Sequence, residues 1–174
     1  GLFFSTDFAA MPDGPLWLVA PKGSKVAAEA AKLCKERCSG IAISTPDPAK
    51  ALAHARWLLK ANDGSGGQSL LSFHKPCLWA ALTYTADKTF DQLMGCWSAV
   101  YCPAPKHFGE HRGPWLAWVA NEKSTWPGAR AAFNLPEAAA QVQARLGWLY
   151  WVDEEYASFD EPGDDRLNDI ADNL

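Results

Sequence analysis

Residues 40–82 constrain the fold of this chain more than any other stretch, because signals for two strands and two helices follow one another there. The stretch begins with the apolar run Gly40-Ile-Ala-Ile-Ser44, which is typical of a buried strand. Asp47 and Pro48 then mark a helix start, because a capping acid precedes a proline at the first helical position. This order of elements predicts an α/β unit.

The second half of the stretch repeats the same order. Residues 62–67 are rich in Gly, Asn, Asp and Ser and predict a tight turn. Residues 69–73 predict a second strand, and Pro76 opens a second helix. We therefore expect the rest of the chain either to extend this sheet or to cover it.

The preceding residues predict one more strand and one more helix. The run Leu16-Trp-Leu-Val-Ala20 fits a central strand covered on both faces, and Ser24 can cap a helix that ends before Gly40. Strand, helix and strand in so few residues make a right-handed parallel crossover the default. Residues 97–102 and 115–120 predict two further strands. We expect a mixed β-sheet flanked by helices in an α/β lobe at residues 1–133.

A helical lobe is expected at residues 134–174, packed with the sheet lobe as one unit. Asn134 and Glu137 have the spacing of a helix opening, with a capping residue and an acid three positions later. In the helix that follows, the apolar residues at 146–152 circle the whole helix. Either this helix is enclosed within the chain, or part of the ring meets another protein.

Charge and composition exclude several classes of function. The chain has 174 residues, 48% of them hydrophobic, and a formal net charge of −4, which argues against nucleic-acid binding. Its five cysteines are odd in number and irregularly spaced, so we expect reduced thiols and a cytoplasmic protein. No unbroken apolar run reaches the roughly 20 residues of a membrane helix, and no secretory signal is visible at the first residues.

Catalytic chemistry finds weak support in the sequence. Cys96 lies in a Gly-Cys-Trp context that resembles a thiol nucleophile, but it follows a helix rather than beginning one, so we expect a buried structural cysteine. His54 is expected at the boundary of an amphipathic helix. The glycines at residues 64–67 lack the following Lys-Ser or Lys-Thr of a phosphate-binding loop. We predict that the chain is not an enzyme.

Zinc is the alternative that we weigh against this prediction. Tetrahedral zinc sites take four Cys or His ligands, usually in close pairs. The sequence offers three such pairs, although nothing in their spacing brings them together: Cys34 with Cys38, His74 with Cys77, and His107 with His111. We expect no metal and no cofactor.

Nine tryptophans favour a protein that binds another protein. Tryptophan dominates binding hot spots, and the aromatic residues near the C-terminus exceed what one helix face can bury. Acidic residues crowd the same region and could meet a basic partner. The residues predicted to bind a partner are Trp148, Tyr150, Trp151, Asp153, Glu154, Tyr156 and Phe159.

The order of motifs resembles the adaptor (effector-loading chaperone) proteins of bacterial type VI secretion. The resemblance runs from about residue 14 to residue 120, and more weakly beyond. It rests on Gly14-Pro-Leu-Trp-Leu-Val19, Gly40-Ile-Ala-Ile-Ser44, His54-Ala-Arg-Trp-Leu-Leu59, the glycine turn, Leu71-Ser-Phe-His-Lys-Pro-Cys-Leu78 and Phe90-Asp-Gln-Leu-Met-Gly95. The motif residues that it marks as structural are Trp17, Arg56, Phe73 and Pro76. The family's "Tyr-Asp-Pro-Arg" stands here as His74-Lys75-Pro76-Cys77, and its preceding arginine as Ser72.

The resemblance implies a cytoplasmic, non-enzymatic adaptor that holds a secreted effector protein and loads it onto the spike protein of the secretion needle. No nucleic acid and no membrane is implied as a partner. Two alternatives stay open beside it: an immunity-type inhibitor of a bacterial toxin, and a zinc-dependent enzyme.

Overall fold

A computed structural model describes residues 1–62, 64–105, 113–121 and 131–156, with side chains up to residue 153. Helices and short strands alternate along these residues, so the predicted α/β class is confirmed. The helices are α1 (Lys25–Glu36), α2 (Pro48–Leu58), α3 (Pro76–Thr85), α4 (Phe90–Met94) and α5 (Ala139–Tyr156), with a 3-10 turn at Asp87–Thr89 before α4. The strands are β1 (Ala42–Ser44), β2 (Lys60–Asn62), β3 (Gln68–Leu70), β4 (Ala99–Pro103), β5 (Trp115–Val119) and β6 (Phe133–Asn134).

The described strands form two small sheets. One is antiparallel in the order β1-β4-β5, and the other is mixed in the order β3-β2-β6. β2 and β3 form a hairpin on either side of the predicted glycine-rich turn, with Ala61 opposite Ser69. β2 itself was not predicted from the sequence. β6 runs parallel to β2, and Asn62 Nδ2 donates a hydrogen bond of 2.8 Å to Asn134 Oδ1.

Local start signals place three helices as predicted. Ser24 caps α1, since its hydroxyl accepts a hydrogen bond from the Ala27 amide at 3.2 Å. Asp47 caps α2 through the amides of Ala49 and Lys50, and Pro48 takes the first helical position. Pro76 takes the first helical position of α3, although the side chain of the preceding Lys75 makes no capping hydrogen bond.

The core is centred on Trp97, which is 1% exposed. Its ring lies 5.9 Å from that of Phe73 and 5.7 Å from that of Trp79, and its Nε1 donates to the Ala51 carbonyl at 3.2 Å. His54 packs edge-on against it at 4.7 Å. Residues of α2, of α3 and of the segment before α3 thus meet around one indole, which lies just before β4.

The central strand predicted at residues 16–20 is wrong. These residues form no strand, and Leu16, Leu18 and Val19 are 82%, 53% and 58% exposed. Trp17 alone among the large side chains of the run packs against the core. The expected parallel crossover is therefore wrong too, because β1 pairs antiparallel with β4. An apolar run becomes a central strand only where other elements cover both its faces, and nothing in the described chain does so here.

The helix predicted from Asn134 begins later. Asn134 lies in β6, and α5 starts at Ala139. The backbone pairing of β6 with β2 takes precedence over the local capping pattern. The predicted boundary between the two lobes, at residues 133 and 134, therefore falls inside β6. α5 packs along α3.

No helix among the described residues is long and apolar enough to cross a membrane.

Candidate protein-docking surface

Helix α5 presents two different apolar faces. One is directed to the core, where Ala139 and Leu146 are buried and Val142 and Leu149 pack against buried residues. These positions recur every three or four residues, as one face of a helix requires. The opposite face carries Trp148 and Trp151. The apolar ring seen in the sequence is therefore divided between the fold and the solvent-facing side.

Trp148 and Trp151 form an exposed aromatic pair. They are 52% and 47% exposed, and their rings meet edge-to-face with centroids 5.2 Å apart and an angle of 81° between the planes. Because the residues are three positions apart, each ring restricts the other on the helix surface. The pair offers a large apolar area with little conformational freedom left to lose on binding.

A shallow depression adjoins the two indoles. It is lined by Ala144, Gly147, Trp148 and Trp151. The two small residues each precede an indole by four positions, so they lie on the same side of α5. We call these four residues the indole face. Sequence reasoning missed Ala144 and Gly147, although a glycine in the interior of a helix was a signal that could have been used.

Tyr150 belongs to the fold rather than to the indole face. Its hydroxyl donates a hydrogen bond of 2.6 Å to the Pro103 carbonyl and lies 4.0 Å from Cys102 Sγ. Burial raises the pKa of this hydroxyl well above its ordinary value. Tyr150 therefore joins α5 to β4, and its role in binding a partner stays a prediction.

The other predicted binding residues are placed only in part. Asp153 is half-buried in the last turns of α5. Glu154 and Tyr156 belong to the helical backbone of α5, but their side chains lie outside the described ones, as does the whole of Phe159. The structure brings Trp148 and Trp151 together and leaves the roles of these four residues as predictions.

The four motif residues of the resemblance have structural contacts. Phe73 is 1% exposed, and Pro76 is buried at the start of α3. Arg56 donates through Nε to the Leu2 carbonyl at 3.4 Å. Trp17 packs against the core, and its Nε1 finds no hydrogen-bond partner in the described part of the chain.

None of the five cysteines forms a disulfide, and burial raises the pKa of four of them, Cys34, Cys77, Cys96 and Cys102. For Cys102 the pKa rises to about 12. Cys96 is half-buried, and its raised pKa keeps the thiol protonated at neutral pH, where it is a poor nucleophile.

Histidine and metal chemistry find no site in the described residues. The boundary position predicted for His54 is wrong, because the side chain is fully buried and its Nε2 lies 3.0 Å from the Leu93 carbonyl. No group of three or more His, Cys, Asp or Glu side chains among the described residues could hold a metal ion. His107 and His111 lie outside those residues.

No protein-family model, no curated protein and no solved structure matches this chain. The fold and the indole face are therefore the observations from which a function is argued.

Proposed function

We propose that this chain is a protein-binding adaptor that uses the indole face of α5 to hold a client protein. The observation that carries the proposal is the pair Trp148 and Trp151, which stay about half exposed while the opposite side of the same helix is packed against the core. Tryptophan is one of the residue types that are enriched at the hot spots of protein interfaces. A helix that needed them only for folding would turn them inward.

The resemblance to type VI secretion adaptors gives the proposal its specific form. In that form the client is a secreted effector, the complex forms in the cytoplasm, and the adaptor passes the effector to the spike protein. Aromatic anchors supply the affinity, and acidic residues at the rim set the rate of encounter and the register. The adaptor performs no bond chemistry, so neither a metal nor a cofactor is needed.

The test is co-expression of the chain with the products of the genes adjacent to its own. We expect a toxin-like protein to co-purify with the unmodified chain and to be retained about 30-fold less by the double variant Trp148→Ala, Trp151→Ala. Export of that protein should fall when the adaptor is absent. Equal retention by both forms would reject the placement of the client on the indole face.

A growth-rescue assay separates the adaptor from the immunity-type alternative. Cells that produce the toxin should not be protected by this chain if it is an adaptor, since it delivers the toxin rather than inhibiting it. Protection would assign the inhibitor role instead.

A further inference from the structure

Gly147 is a glycine without an evident role inside its own chain. It lies near the middle of α5, where glycine is the poorest helix former apart from proline. Its φ is not in the left-handed region, so the backbone does not require glycine. A Cβ placed on it would meet nothing within 4 Å, so internal packing does not require glycine either.

Gly147 belongs to the indole face. Gly147 and Ala144 line the depression together with Trp148 and Trp151. Without a side chain at 147, the backbone of another element can approach that of α5 closely, while the indoles enclose its side chains. Small residues of this kind let two helices pack at short distance, and apolar side chains then fill the space between the aromatic rings.

Charge indicates what kind of helix fits there. Residues 153–174 hold nine of the twenty Asp and Glu residues but only one of the sixteen Lys and Arg residues. Glu154 and Glu155 follow Trp151 within one turn of α5, at the end of the helix where the dipole is negative. The residues before 153 hold fifteen basic and eleven acidic residues, so the acidic character is confined to this end of the chain.

We propose that the indole face takes an amphipathic helix of the client whose apolar face is bordered by Lys or Arg. The apolar side chains lie between Trp148 and Trp151, the helix crosses α5 at Gly147, and its basic residues complement the acidic excess that the sequence carries from residue 153 onward. This inference rests on the proposed function and specifies the client segment that the same surface recognises.

The probe is a fluorescein-labelled peptide of about 18 residues, made of Leu and Lys in the spacing of an amphipathic helix. Binding is followed by fluorescence anisotropy at about 150 mM salt, where charge interactions beyond about 8 Å are largely screened and only close charge contacts still favour the Lys peptide. Two comparison peptides are used. One has the same composition in strict alternation, which suits a strand, and the other has Glu in place of Lys.

The deciding variant is Gly147→Leu, with Gly147→Ala as its matched control. Neither changes a charge, and both side chains point into open space, so the fold should persist and the urea midpoint should rise or stay constant. We expect the Leu variant to bind the Lys/Leu helical peptide at least about tenfold more weakly, and the Ala variant to show a smaller loss. The alternating and Glu-containing peptides should bind more weakly than the helical basic one.

Three results would overturn the inference. Equal affinity of Gly147→Leu and the unmodified chain would show that close approach is not used, and equal binding of the alternating peptide would show that the occupant need not be helical. A dimer in sedimentation that Gly147→Leu dissociates would assign the surface to a second copy of the chain. If the tryptophan double variant loses the client while Gly147→Leu retains it, the adaptor function stands and only the helical occupant is rejected.

Discussion

Gly95 packs directly against the ring of His54, and a Cβ built on Gly95 would lie only 2.3 Å from His54 Cε1. Gly95 also has a φ of +52°, which L side chains rarely adopt. The imidazole is fully buried and stacks at 5.3 Å on Trp57, so it has no free direction in which to move. The absence of a side chain at position 95 is what makes room for a histidine in the core.

Gly95→Ala is therefore expected to destabilise the protein strongly. Overpacking against His54 and backbone strain together should lower the free energy of unfolding by about 2–4 kcal/mol, measured by urea denaturation. Gly23→Ala is the matched control, because its φ is +78° but its Cβ would meet nothing within 4 Å. The free energy of unfolding of Gly23→Ala should fall by about 1 kcal/mol, because this variant introduces backbone strain but no steric overlap. Equal losses for the two variants would contradict the role of His54.

Stability should decline as the pH falls from about 6.5 to about 4, in part because of His54. Burial lowers the pKa of this imidazole to about 4, and the hydrogen bond to the Leu93 carbonyl offsets a part of that shift. The unfolded chain thus takes up a proton in this range before the folded one does, so acid favours unfolding. The free energy of unfolding should fall by about 3 kcal/mol in total from this cause. The decline due to His54 should end once the pH is below the pKa that this imidazole has in the folded protein.

His54→Gln tests this linkage, because the glutamine amide can still donate to the Leu93 carbonyl but does not titrate. Urea midpoints of both forms between pH 8 and pH 4 should show a shallower slope for the variant. Parallel curves would mean that other groups account for the acid sensitivity. His74 contributes in the same direction, since its pKa is also lowered by burial, and it remains in both forms.

The elements with strong local signals were the ones that the sequence predicted correctly. Asp47 and Pro48 place the start of α2, Pro76 places that of α3, and the predicted glycine turn joins β2 to β3, although β2 itself was not predicted. Each of these signals acts within about four residues, where capping and turn geometry decide the conformation. Distant partners are not needed for them.

The errors concern contacts between residues far apart in the chain. Asn134 looks like a helix cap until its parallel pairing with Asn62, across 72 positions, places it in a strand. His54 looks like a boundary residue until Gly95 provides space for it. For the indole face, the sequence indicated Trp148 and Trp151 as candidate binding residues but left open whether the fold encloses them. It did not indicate the depression beside them, because a depression depends on what neighbouring residues leave unfilled.

Helix α1 is expected to open far more readily than α3. None of its twelve residues is buried, whereas α3 buries seven of its ten, including Trp79 and Leu82. Hydrogen exchange followed by mass spectrometry or NMR should show α1 amides exchanging about two orders of magnitude faster or more. Ser24→Ala, which removes the cap of α1, should accelerate exchange there and leave α3 unchanged. Uniform protection across both helices would contradict this difference.

Tyr150→Phe tests whether Tyr150 serves the fold. The variant keeps the ring but removes the 2.6 Å hydrogen bond to Pro103, so the free energy of unfolding should fall by about 1 kcal/mol. Tyr101→Phe is the control, since Tyr101 is 39% exposed and its hydroxyl has no hydrogen bond within the described residues. The free energy of unfolding of Tyr101→Phe should differ from that of the unmodified chain by less than about 0.5 kcal/mol. Binding of the Lys/Leu helical peptide should be unaffected by either change.

The tryptophans of the indole face should contribute little to folding, and this separates them from those of the core. Trp148→Ala and Trp151→Ala should each reduce the free energy of unfolding by less than about 1 kcal/mol, because about half of each side chain is exposed. Trp97→Ala should reduce it by about 3–5 kcal/mol, since that indole is buried and donates to the Ala51 carbonyl. If truncation of Trp148 or Trp151 were as damaging as that of Trp97, the indoles would be needed for the fold, and their exposure would no longer argue for a client. A small loss of stability with a large loss of client binding is the combination that a docking surface requires.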